Sequence, residues 1–316
     1  MAKTTSKKGA RKGTRRSARS SPKKKAASSP HAATPRVLTR AAFEKWALSM
    51  VGPGVKRGLS AFTSIDDAAA EAIAAYEGWL YLGDVTSLSD VQADLLSRHR
   101  GDLHLGLTSL TVKVAKSLAA HKGGLSLDKL SACRDDSLLM LAKVKGSLSL
   151  NGLTRLSDVA ATALANRRAD LSLDGLATIS DEAAAALGKH RGTLRLNGIA
   201  HLSATAAAAL AEHEGDLRLE AVTSVSDDVA HALSKHAWFL HLDALSTLSE
   251  AAARALVRHR GTLWLPGLKT LSDEALIAIG QYQRHHIPDA LRKQVGAARK
   301  RLRTTTARAA KARKAV

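Results

Sequence analysis

The chain has 316 residues, 45% of them hydrophobic, and a formal charge of +20 at pH 7. Its single cysteine, Cys133, can form neither an internal disulfide nor a thiolate-rich zinc site, so an intracellular chain is expected. No apolar run reaches the ~18 residues of a membrane span, and no apolar stretch follows the basic N-terminus as a Sec signal requires.

The charge is unevenly placed. Residues 1–40 hold 13 Lys or Arg and no acid, and residues 285–316 hold 10 against Asp289 alone. Residues 41–284 hold 25 bases and 27 acids and are close to neutral. Residues 1–37 are Lys, Arg, Ser, Ala and Pro with almost nothing to bury, and a disordered basic tail is expected. An Arg- and Ser-rich, acid-free start also suits an organelle transit peptide, a minor alternative because the C-terminal segment has similar chemistry. Residues 38–50 (LTRAAFEKWALSM) read as a short capping helix ended by Gly52-Pro53-Gly54, so that 38–55 form a cap and linker.

From 56 to 284 the sequence repeats every 23 residues in about ten units. Three of them read SLSLNGLTRLSDVAATALANRRA (147–169), DLSLDGLATISDEAAAALGKHRG (170–192) and TLRLNGIAHLSATAAAALAEHEG (193–215). Such a period predicts a solenoid, in which each unit buries its apolar face against its neighbours. Unit positions two and four are Leu in all nine clear copies, from Leu80 and Leu82 to Leu263 and Leu265. That alternation puts both on one face of a short strand. Position eleven is Ser in seven copies, Ser157 and Ser180 among them, followed by acids and an Ala-rich run. This is a helix N-cap with acids in the first turn. Position eighteen is Leu or Ile in all ten copies and shares a helix face with a small or apolar position fourteen. Gly closes seven of the ten units, where a left-handed helix stop is expected.

The pattern L-x-L-x-x-L-x-x-L followed by a helix resembles a leucine-rich repeat. The resemblance implies an α/β repeat solenoid: a curved right-handed horseshoe with parallel strands on the concave side and helices on the convex side. Nine strands at the usual spacing of about 4.8 Å would span roughly 40 Å. One departure is plain. The family's loop Asn or Cys is replaced by an apolar residue, as at Leu153, Leu176 and Val222, while Asn or Asp stands just after the strand at Asp128, Asn151, Asp174, Asn197 and Asp243. A ladder shifted to that position would replace the usual one.

Position three should face outward on the concave side. It gives Tyr81, His104, Ser126, Ser149, Ser172, Arg195, Arg218, His241 and Trp264 as a candidate row for a protein partner, with Arg and aromatic anchors. The Arg pair also suits a carboxylate or phosphate. Aromatics otherwise gather at the two ends of the array, Phe43 to Tyr81 and Trp238 to Tyr282, where open core faces need covering. His99, His121, His190, His213, His236 and His259 share one repeat position. A metal ladder or pH switch is one reading. A half-buried ring favouring the helix C-terminus is preferred, because helices about 8–10 Å apart hold two rings too far from one ion. No Walker loop, H-E-x-x-H, paired-cysteine motif or G-x-S-x-G occurs, so no enzyme, metal or cofactor is expected.

In residues 285–316 apolar residues fall at helical spacing from Leu291 to Leu302 among basic ones, so this tail should be partly helical. Both tails resemble the Lys/Ala-rich arms of linker histones in composition. Lys7, Lys8, Arg11, Lys12, Arg15, Arg16, Lys23, Lys24, Lys25, Arg299, Lys300, Arg301 and Arg303 are candidate contacts to the phosphates of DNA or structured RNA. Neither tail has an aromatic residue for base stacking. An anionic membrane contacted by 288–303 is the rival, and plain solubility the bland alternative. The expected function is a non-enzymatic scaffold, cytoplasmic or nucleic-acid associated.

Overall fold

The computed structural model describes residues 36–49, 59–280 and 285–313. The chain divides into Met1–Thr34 and Pro35–Val316. The N-terminal tail residues Lys7 to Lys25, the Gly52-Pro53-Gly54 stop and Tyr282 lie outside the described residues.

Each repeat forms a strand of two or three residues, a loop and a helix of seven or eight. Helices that short are unstable alone, so their stability must come from stacking. The position-two and position-four leucines, such as Leu171 and Leu173, are fully buried, and each contributes about 2 kcal/mol by leaving water. The strands build one parallel sheet in sequence order, from Leu80–Leu82 to Leu263–Trp264, with the helices packed beside one another along the array. This is an α/β repeat solenoid.

The helix starts follow from the serine column. Ser89, Ser157, Ser180, Ser203, Ser226, Ser249 and Ser272 each accept the N–H three residues on. Such a cap is worth about 1 kcal/mol. Some of these hydroxyls also tie repeats together: Ser157 donates to Asp135 at 2.7 Å and Ser180 to Asp158 at 2.6 Å.

The glycine column has a different purpose from the one expected. The helix Asp181–Leu187 ends five residues before Gly192, its C-cap is right-handed, and positive φ occurs at only two of the seven glycines, Gly192 and Gly215. Instead, a Cβ at Gly101, Gly123 or Gly146 would fall on the backbone carbonyl of Gly78, Gly101 or Gly123, one repeat earlier. Glycine is needed here because successive repeats touch backbone to backbone, not because a helix must stop.

Both ends differ from a bare array. Val37–Leu38 pairs in parallel with Ser64–Ile65, in front of which the helix Arg40–Ser49 buries Phe43. At the other end the sheet runs one strand beyond residue 284: His285–His286 pairs with Leu263–Trp264, making ten strands rather than nine. The following helix, Asp289–Arg313, buries Leu291, Val295 and Ala298 and packs against Asp273–Ile279. Arg301 forms a bidentate pair with Asp273, with Nε to Oδ2 at 2.7 Å.

Candidate functional site

The sheet pairing sets position three in one register. Tyr81 pairs with His104, His104 with Ser126, and so on through Ser149, Ser172, Arg195, Arg218 and His241 to Trp264. All nine predicted residues therefore lie in a single row, and all are at least partly exposed. His286 extends the row. Its only sequence signal was a spacing of 22 residues from Trp264, the same as in the repeat that is one residue short.

The row is aromatic at both ends and polar between. Tyr81 stacks on His104 with centroids 4.4 Å apart, beside the exposed Trp79. At the far end Trp264 meets His286 at 4.5 Å and His241 at 6.1 Å, with Phe239 against His241. Between them lies a cavity of about 310 Å³ lined by Trp79, His104, Ser126, Ser149, Ser172 and Arg195 among others. Its floor is tied by the shifted Asx ladder. Asp128 Oδ1 accepts from the Asn151 N–H at 3.0 Å, Asn151 Oδ1 from Asp174 at 2.9 Å, and Asp174 Oδ1 from Asn197 at 3.0 Å. Ser149 and Ser172 donate into the same ladder at 2.5 and 2.7 Å. The middle of the row is thus fixed by the fold's own hydrogen bonds.

Two constellations have chemical potential on paper. His104 Nδ1 lies 2.6 Å from Ser126 Oγ, which donates to Asp128 Oδ2 at 2.8 Å. The order is wrong for nucleophile activation, in which the carboxylate must orient the imidazole and the imidazole must face the hydroxyl. Here the carboxylate holds the serine. Burial lowers the His104 pKa, with Asp128 opposing. The second group is Glu220, His241 and Asp243, whose ligand atoms lie within 4.8 Å of one another. Arg218 Nη1 sits 3.4 Å from Glu220 and, after burial, is the main influence lowering the His241 pKa. A cation there would have to compete with that guanidinium.

No protein-family model matches the chain, and comparison with curated proteins gives no match. Among solved structures, the chain is similar to a leucine-rich-repeat protein of Leptospira interrogans, with 15% identity and a TM-score of 0.43 over 71% of this chain and 63% of that one. It is similar to a chain of the Drosophila Toll–Spätzle complex at 13% identity and TM-score 0.40, over 72% and 35%. An internalin of Listeria monocytogenes gives 16% and 0.37, over 70% and 78%. The chain therefore spans less than two thirds of the first two. The strand and helix order by itself makes the array an α/β repeat solenoid.

Inside this array the histidine column differs from the half-buried rings expected. His99, His121, His190, His213, His236 and His259 are at most 2% exposed. Neighbouring rings lie with centroids 5.5–6.1 Å apart, His236–His259 tilted and the others stacked, in the segment that leads from each helix to the next strand. Burial lowers the pKa of His121, His190 and His236, and takes His213 down to about 4. His190 Nε2 lies 3.1 Å from the Ala169 carbonyl, its Nδ1 3.3 Å from His213 Nε2, and His213 Nδ1 3.2 Å from the Gly215 carbonyl. Two neutral rings carry two N–H groups for those three links. Neutrality thus leaves one link without a proton, and burial still outweighs it.

Arg167 takes the histidine's place in the unit 147–169. Arg167 is 5% exposed, and its guanidinium donates to the carbonyls of Val144 and Gly146, both at 2.5 Å. Burial lowers its pKa to about 10, so it stays charged at neutral pH. Truncating it to Leu strands those carbonyls, and a loss of about 3 kcal/mol is expected in urea unfolding. Arg167→His, the column's commonest residue, should recover most of it. Equal losses for both would show that only the Arg fits this place.

Proposed function

We propose that the chain is a non-enzymatic interaction scaffold. Its sheet row takes a protein partner, and its basic tails hold nucleic acid through the phosphate backbone. The observation that supports this most is the row from Tyr81 to Trp264, with aromatic stacks at both ends and Arg195 and Arg218 between, fixed by sheet register and the Asx ladder. Trp, Tyr and Arg are the side chains that dominate protein interfaces, and rigid placement lowers the ordering cost of binding. The tails add sequence-independent attraction. In the C-terminal segment Arg299, Lys300 and Arg303 are exposed, whereas Arg301 is already engaged by Asp273.

A purely protein-binding scaffold whose tails serve solubility or targeting is the alternative. Its membrane form is disfavoured by one finding: Leu291, Val295 and Ala298, the apolar face an interfacial helix would insert, are buried within the fold. The test is site-specific photo-crosslinking in cells, with the probe at Ser149 or Arg218 on the row and at Val159 on the helix side. A discrete protein adduct from the row positions alone is expected. Adducts of equal yield from Val159, or none from the row, would overturn the protein-binding reading.

A further inference from the structure

Each buried ring of the histidine column has an exposed neighbour on either side in sequence, as in Lys189-His190-Arg191. Because the rings stack at 5.5–6.1 Å, these neighbours line up at the same step along one outer edge of the array. The eight repeats from 79 to 261 present sixteen such positions, of which eleven are Lys or Arg and two are Glu, all exposed. The segment 41–284 has only 25 bases against 27 acids, so nearly half of its bases stand on this edge.

The helix dipole does not account for the outer ones. It favours bases in the last helical turn and fades beyond it. The helix Asp181–Leu187 ends two residues before Lys189 and four before Arg191. Arg100, Lys122, Lys145, Arg168, Arg191 and Arg260 all occupy that outer position. Arg100 and Arg191 pair across repeats with Glu77 and Glu214. For Lys122, Lys145 and Arg168 the described residues supply no ion pair. Like charges at this spacing repel, and that repulsion is relieved by an anion. None of the sixteen positions is aromatic, so the edge offers charge and nothing for bases to stack on. Four of the column's seven steps are ring pairs at 5.5–6.1 Å, and seven steps of that size cover about 40 Å, comparable to the ~34–36 Å of one duplex turn.

We infer that this edge binds double-helical nucleic acid through its phosphates. The inference shares its partner class with the reading above but places the contact on the folded array rather than on the tails. The experiment is a salt titration of duplex DNA binding by fluorescence anisotropy, using the full chain throughout. An edge variant carries Lys122→Gln, Lys143→Gln, Lys145→Gln and Arg168→Gln. A control carries Lys113→Gln, Lys116→Gln, Lys129→Gln and Lys269→Gln off the edge. A tail variant carries Gln at Lys7, Lys8, Lys12, Lys23, Lys24 and Lys25. Matched thermal melts check folding. Each phosphate contact contributes about 0.9 to the logarithmic salt slope, so the four-residue edge variant should lose up to about 3.6 in slope and at least tenfold in affinity near 0.1 M salt, with the control unchanged. An unchanged edge variant, or an equal loss in the control, overturns the inference. If the tail variant alone abolishes binding, the tails are the interface and the edge is not. If only the edge variant weakens, the tail reading falls and this one stands. A wild-type chain that binds nothing at low salt sinks both.

Discussion

Gly146→Val is expected to split the unfolding of the array. The added Cβ falls on the Gly123 carbonyl and 2.8 Å from the Gly124 nitrogen, both backbone atoms that no rotamer change can move. The two repeats must separate along the full length of their contact, which opens buried leucines such as Leu125 and Leu148 to looser packing. Overpacking a core usually costs about 1–3 kcal/mol, and a rigid backbone obstacle belongs at or above the top of that range. In a solenoid, stability is a sum of repeat and nearest-neighbour terms, so a fault at one interface weakens the coupling between the two halves. Urea unfolding followed by circular dichroism should therefore broaden or resolve into two steps. Gly296→Ala is the matched control. It lies inside the Asp289–Arg313 helix with no atom within 4 Å of an added Cβ, and should gain about 0.5–1 kcal/mol from helix propensity alone. If both substitutions behave alike, the close approach of the backbones is not what selects glycine.

Acid should destabilise the array well before the carboxylates titrate. The folded pKa of His213 is about 4, against an unfolded value near 6.5. Above pH 6.5 neither state binds the proton, and the histidine costs nothing. Between 6.5 and 4 the unfolded chain takes up the proton while the folded chain resists, so stability falls as pH falls through that window. The shift corresponds to about 3 kcal/mol for His213 at full effect. His121, His190 and His236 move in the same direction for the same reason. Chemical unfolding at pH 7.5 and pH 5 should show a large drop for the wild type and a smaller drop for His213→Leu. A pH dependence identical in the two proteins would show that other groups carry it. The same burial argues against a metal ladder in this column, since an ion would have to enter between packed repeats.

These expectations divide along a clear line. The repeat length, the L-x-L strands, the serine caps and the order of the outward row were all legible in the sequence. Each depends on one unit's own periodicity, two residues per strand alternation or one helical face, and the parallel register then copies it from repeat to repeat. Even the shifted Asx ladder was visible as a column of Asn and Asp, since its partner is the same position one unit on. What the sequence could not supply were features set by how closely units stack and where the stack ends. Gly146 reads as a helix stop until the Gly123 carbonyl is found in the space of its missing side chain. His213 reads as a half-buried ring until the stacking of repeats leaves it 2% exposed. His285–His286 and Leu291 read as tail until an open sheet edge and an exposed core face give them something to cover. The basic edge appears only when positions 23 residues apart are brought within about 6 Å, because the distance between repeats is fixed by tertiary packing and is written in no single unit.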